Sequence, residues 1–149
     1  MKINTAILPY SEDNIRDKII AGDPAGLKAL MHAYYHTLFR FTLQHVKMEQ
    51  AAHKMVQATF DRIWIFGAEI NQSLPFHTYI GQLIAHFIYE FLQSVNGDGP
   101  TEEELWKQAQ KAMDDAGNES FNKGYYLGIY GAIARLRLKK QLVYLLTIP

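Results

Sequence analysis

Cysteine is absent from the chain, which removes disulfides, thiolate nucleophiles and cysteine-bound zinc and gives no sign of an oxidising compartment. Net charge is absent as well. Fifteen Lys and Arg balance fifteen Asp and Glu, with six His counted as neutral, so long-range attraction to phosphate backbones is weak. No segment offers the ~20 consecutive apolar residues needed to cross a bilayer, because Lys, Arg, His, Gln or Glu interrupts each run. Met1 to Tyr10 lacks the basic start, apolar stretch and small-residue cleavage site of an export signal. A cytoplasmic protein without membrane contact is therefore the expectation. Also missing are Gly-x-Gly-x-x-Gly, Gly-x-x-x-x-Gly-Lys-Ser/Thr, Gly-x-Ser-x-Gly and His-Glu-x-x-His. Without them, dinucleotide, nucleotide, hydrolase and metalloprotease readings have no support. The chain reads as a binding protein, not an enzyme, with no cofactor.

What is present is the material of a helical core. Apolar residues make up 48% of the chain and charged ones 20%, a balance that folds, unlike the charge-rich compositions of disordered proteins. At 149 residues there is room for one domain and an appendage, and two full domains would be crowded. Ile15, Ile19 and Ile20 predict a short helix closed at Ala21-Gly22-Asp23, where Gly can adopt the left-handed conformation. Asp23 and Pro24 then read as the cap and first residue of a second helix. Its apolar stripe runs through Leu27, Leu30, Met31, Tyr34, Tyr35, Leu38, Phe39 and Phe41. After a break near Lys47 to Glu49, Ala52, Met55, Val56, Thr59, Phe60, Ile63 and Trp64 give the clearest helical face in the chain. Gly67 through Pro75 reads as a loop, and about Phe76 to Gln93 as a central helix apolar on nearly all sides.

Asn96-Gly97-Asp98-Gly99-Pro100 is the strongest breaker, and a domain edge is expected there. Thr101 with Glu102, Glu103 and Glu104 has the hydroxyl cap and first-turn acids of another helix start, running to about Ala116. Gly117 to Gly124 is a further polar break, and Tyr125 to Leu146 reads as a final helix. The expected organisation is an N-terminal arm over 1–14, a helical domain over 15–95, and a linker with one or two helices over 96–149. The fold class is all-α, and no internal repeat is visible.

Residues that could carry chemistry are few. His32 and His36 stand one helical turn apart, as two metal ligands could. A zinc site needs three or four ligands, no Asp or Glu stands beside the pair, and no metal site is expected. His45, His53, His77 and His86 fall on separate elements, where surface or helix-end imidazoles are the cheaper explanation. Glu102 to Glu104, Asp114 and Asp115 read as helix-terminal charges and not as an acid/base pair. Tyr34-Tyr35 and Phe60, Trp64, Phe66 could stack on bases, but aromatics on an apolar stripe usually form core. Arg135, Arg137, Lys139 and Lys140 form the only dense basic cluster, read as the solvated face of a packed helix.

Taken in order, Ala21-Gly22-Asp23, Tyr34-Tyr35, Leu38-Phe39-Arg40-Phe41, Ala52, Val56-Gln57, Thr59-Phe60, Arg62-Ile63-Trp64 and Phe76 through Gln93 resemble region two of extracytoplasmic-function sigma factors. The likeness covers roughly Ile15 to Gln93. Residues Ala132 to Leu146 are similar to the first helix of region four in the same family, with Arg137 in the place of a usual Pro. The chain then ends at Pro149, before the helix-turn-helix with which that family reads the upstream promoter element, so that reading is expected to be absent.

The resemblance implies a four-helix bundle with two contact surfaces. One docks on RNA polymerase core, and its positions correspond here to His53, Lys54, Gln57, Ala58 and Arg62. The other faces the melted promoter DNA, at Tyr79, Gln82, His86, Glu90 and Gln93. Both depart from the family pattern. Its acidic pair on the polymerase-binding helix falls on His53 and Lys54 and its following Glu on Ala58, and exchanging acid for Lys reverses a Coulomb term at the contact. On the promoter-facing helix, Tyr79 replaces a Trp, Ala85-His86 an Arg-Asn pair, Glu90 an Asp and Gln93 an Arg. Losing two guanidinium groups weakens phosphate and base contacts.

Two functions follow from the resemblance. In one, a sigma-like transcription protein engages polymerase core, promoter DNA or both. In the other, a diverged sigma-fold module binds a protein, polymerase or an anti-sigma factor, without promoter recognition. Aromatic surface left open by a missing domain would also favour a homodimer.

Overall fold

The computed structural model describes residues 11–116 and 129–137, and these form helices and turns with no strand among them. The elements are α1 (Glu12–Ala21), α2 (Pro24–Val46), α3 (Glu49–Ile65), α4 (Phe76–Val95) and α5 (Glu102–Ala116), followed by helical residues 129–137, here α6. The protein is all-α. Among the described residues no helix is long and apolar enough to cross a membrane.

Local chemistry sets most of the helix ends. The Ser11 hydroxyl accepts the Asn14 amide at 3.1 Å, so α1 begins at Glu12 and not at Ile15. Residues 12–14 therefore belong to a helix, where an N-terminal arm over 1–14 was expected; the arm's remaining residues 1–10 lie outside the described residues. Gly22 closes α1 with φ 79°, and the Asp23 carboxylate accepts the Ala25 amide at 2.9 Å to open α2. These two caps turn the chain so tightly that α1 lies across the first turn of α2. At Gly26 an added Cβ would sit 2.6 Å from Lys18 Cβ and 3.0 Å from the Ile19 nitrogen, so this crossing needs a residue without a side chain. Lys47, with φ 59°, ends α2.

The apolar stripe of α3 is buried as its spacing predicts. Val56, Phe60 and Ile63 are fully buried and Trp64 nearly so, and the Phe60 ring stacks on Tyr35 of α2 with centroids 5.8 Å apart. Ile80, Ile84 and Ile88 carry α4 through the centre of the same core. Between α3 and α4 the expected loop contains a 3-10 turn, Gly67–Glu69. Its Gly67 and the following Ile70 are buried because this segment packs against α1.

The expected domain edge at Asn96 to Pro100 is a reversal inside the bundle. Helix α5 folds back along α4 in the most extensive helix pair of the molecule, burying Leu105, Ala109 and Met113. Gly81 lets it approach, since a Cβ there would lie 3.2 Å from Met113 Cε. The cap of α5 forms as its sequence predicts: Glu104 N–H donates to the Thr101 hydroxyl at 3.1 Å, and Thr101 N–H donates to Glu104 Oε1 at 2.8 Å.

Helix α6 also joins the core, through Ile133. The indole Nε1 of Trp64 donates to the Ala134 carbonyl at 3.0 Å. Arg137 was expected on a solvated basic face, but only 9% of it is exposed. Its guanidinium lies 5.0 Å above the Trp64 ring and donates to the Ile19 and Ile20 carbonyls at 2.5 and 3.1 Å. Those carbonyls belong to the last turn of α1, whose acceptors have no partner within the helix and sit at the negative end of its dipole. A cation is drawn into that position. Lys139, Lys140, the Gly117 to Gly124 break and the remainder of the final helix lie outside the described residues.

Substituting Gly26→Ala is expected to cost on the order of 1–2 kcal/mol, with α1 displaced from α2 outweighing the better helix propensity of Ala. Urea unfolding followed by circular dichroism measures it, and a stability equal to that of the parent protein would refute the close-approach account.

Candidate interaction surface

Because α3 buries one stripe, its opposite side is presented outward, and the two residue sets named from sequence fall on distinct surfaces. Lys54 and Arg62 are exposed, with Gln57, Ala58 and Asp61 half-buried beside them. Lys54 and Gln57 make no hydrogen bond or ion pair with the described residues. Arg62 rests its guanidinium 5.1 Å from the Phe66 ring centroid. His53 behaves differently from its neighbours. It is half-buried, its Nδ1 lies 2.9 Å from the Tyr35 hydroxyl, and its ring stacks on Phe39 with centroids 4.2 Å apart. The imidazole therefore serves the α2–α3 seam.

Asp61 escaped the sequence reading. Its Oδ1 is shielded from solvent with no hydrogen-bond donor among the described residues, and burial pushes the carboxyl pKa upward. No spacing rule picks it out, because it stands on the rim of the stripe and the consequence depends on what packs around that rim.

On α4, Gln82, His86 and Glu90 are exposed and Gln93 is half-buried, making one stripe at helical spacing. Tyr79, half-buried at its N-terminal end, has its hydroxyl pKa raised by burial, with the charge of Arg62 pulling it down and that of Glu69 pushing it up. Tyr79 and Arg62 thus bring the two surfaces together at the α3–α4 junction. At the stripe's centre the surroundings are acidic. His86 Nε2 lies 3.3 Å from Glu90 of its own helix, and His86 Nδ1 lies 3.3 Å from Glu102 at the start of α5. The folding back of α5 produces this arrangement, and sequence spacing could not foresee it because the two residues come from different helices.

Glu12 is a second position that sequence reading missed. It accepts the backbone N–H of His77 at 3.0 Å and lies 3.0 Å from His77 Nδ1, while the Tyr34 hydroxyl donates to it at 3.4 Å. Helix α4 begins after Pro75 without a side-chain cap of its own, so a carboxylate from α1 caps it instead. His32 and His36 are half-buried on α2, and among the described residues no three His, Asp or Glu side chains are grouped to hold a metal ion. Comparison with protein-family models, with curated proteins and with solved structures returned no match.

Burial without a donor raises the Asp61 pKa, so the folded state penalises its ionised form. The penalty is present at neutral pH and is relieved as pH falls through the raised value. Asp61→Asn is therefore expected to stabilise the protein at pH 7 by about 0.5 kcal/mol, limited by solvent screening of a half-exposed group, with the gain fading towards pH 4. Thermal unfolding of both proteins across that range measures it, and destabilisation at pH 7 would contradict the assignment.

Proposed function

We propose that this protein is a sigma region-two-like interaction module that docks on RNA polymerase core through the outer face of α3 and does not read promoter DNA. It acts by binding and not by catalysis. The observation that carries this reading is the contrast between the two helix faces. Lys54 and Gln57 project from α3 without hydrogen-bond or ion-pair partners among the described residues and Arg62 has an aromatic contact with Phe66 and a charge interaction with Tyr79 but no ion pair among them, whereas His86 on α4 is flanked by the carboxylates of Glu90 and Glu102. Uncommitted polar side chains can exchange water for a partner's groups without first breaking internal contacts. A carboxylate pair around the central position repels the phosphate charge that dominates nucleic-acid affinity, and zero net charge supplies no compensating attraction.

The aromatic content of the junction supports the same reading. Arg62, Phe66 and Tyr79 together match the composition of protein-interface anchors, where Arg and aromatic residues dominate the binding energy. The family's acidic pair is lost at His53 and Lys54, so docking should be weaker than in a sigma factor that retains it.

Retention of the purified chain on immobilised polymerase core tests the proposal directly. Retention is expected, with Arg62→Glu weakening it about tenfold and Lys54→Asp, which restores the family's charge, strengthening it by a similar factor. In parallel, fluorescence anisotropy with single-stranded and duplex DNA should show no binding at physiological salt. Failure of both the parent protein and Lys54→Asp to bind core would remove the polymerase reading, and a DNA affinity that falls steeply with salt would restore promoter contact.

A further inference from the structure

An open groove of about 450 Å³ lies between α2 and the C-terminal half of α5, lined by none of the residues assigned to the α3 and α4 faces. The cause is local. Ala112 and Ala116 stand one turn apart on α5 and line the groove, putting only methyl groups where larger side chains would close the space. The buried Phe41 of α2 contributes an aromatic wall, and Arg40 lines the same space with its side chain exposed. Such a volume falls in the range of small-molecule sites, which combine an apolar floor with a few polar groups that fix orientation.

The charges lining the groove are unequal in their commitments. Lys111 is neutralised by Asp115 at 3.1 Å. Arg40 makes no hydrogen bond or ion pair with the described residues, although its planar guanidinium offers a two-pronged donor set suited to a carboxylate. Among the described residues the groove therefore carries one uncompensated positive charge beside the apolar Phe41, Ala112 and Ala116.

We infer that this groove binds a small monocarboxylate, with the carboxylate paired to Arg40 and the apolar body against Phe41, Ala112 and Ala116. One net charge favours a monoanion over groups of higher negative charge such as nucleotide phosphates. Gln44 and Gln108 also border the space. Each side-chain amide can offer an N–H donor to a carboxylate oxygen. This inference does not depend on polymerase binding and stands or falls separately from it.

Titration of the full chain with benzoate, followed by amide and arginine side-chain NMR shifts, tests the site. Saturable shifts are expected on Arg40, Phe41 and residues 108–116, with a dissociation constant on the order of 1 mM for so small a probe. Benzamide, which has the same shape without the charge, should bind at least tenfold more weakly, and AMP should bind no better than benzoate. Arg40→Gln should lose binding at least tenfold. Arg40 is exposed and has no ion pair or hydrogen bond among the described residues, so that variant should keep the parent's fold, checked by its unperturbed spectrum. Ala112→Leu, which fills the floor and leaves the charge intact, should abolish binding as well. Absence of saturable shifts, equal binding of benzamide, stronger binding of AMP, or retention of affinity in either variant would each overturn the inference.

Discussion

The arrangement of both candidate surfaces depends on the one-sided burial of α3. Val56, Phe60, Ile63 and Trp64 repeat at three- and four-residue steps and are removed from water almost completely. At roughly 1.5–3 kcal/mol for each large apolar side chain buried, this stripe fixes the helix's rotation about its own axis far more firmly than any surface contact could. Once that rotation is fixed, Lys54, Ala58 and Arg62 have no choice but to face outward. The Tyr35–Phe60 stack at 5.8 Å ties the register of α3 to α2. His53 follows from the same register, since its position beside Phe39 and the Tyr35 hydroxyl commits it to the seam.

Electrostatics then distinguishes the two outward faces, although the chain as a whole is neutral. The acids at the start of α5 are there for a local reason: they complement the positive end of the helix dipole, and Glu104 completes a reciprocal cap with Thr101. Only the fold gives them a second consequence. Because α5 lies along α4, Glu102 is brought to His86, and a helix-stabilising charge becomes part of the neighbouring helix's surface. The α4 stripe is thereby made acidic at its centre.

The helices, the caps at Asp23 and Thr101, the Gly22 turn and the inward face of α3 were legible in the sequence, because each depends on residues within a turn or two of one another. Contacts between distant segments were not. The break at Asn96 to Pro100 carries the same residues whether it separates two domains or reverses a chain within one bundle. The decision rests on Gly81 and on the buried stripe Leu105, Ala109 and Met113, which lets α5 lie against α4. Arg137 read as a surface cation because its neighbours in sequence are basic, yet the acceptors that hold it lie more than a hundred residues away, at the end of α1. Of the residues assigned to contact surfaces, Lys54, Arg62, Gln82, His86 and Glu90 are exposed. The commitments of His53 and His86 became visible only with their cross-helix partners.

Long-range capping helps the six described helices hold one arrangement. Glu12 caps α4 from α1, and Arg137 closes the C-terminal end of α1 from α6. Each satisfies backbone groups that a helix cannot satisfy alone, and each does so with a charge of the sign that the helix end favours. Helix α1, only ten residues long, is thus held at one end by a residue from near the other end of the chain and itself holds the start of the central helix. An isolated helix of that length is marginal in water. Its stability here comes from Ile15 and Ile19 in the core and from these two charged contacts, so α1 serves as the link through which α6 and α4 are coupled. The exposed Lys54 and Arg62 of α3 take no part in that coupling among the described residues.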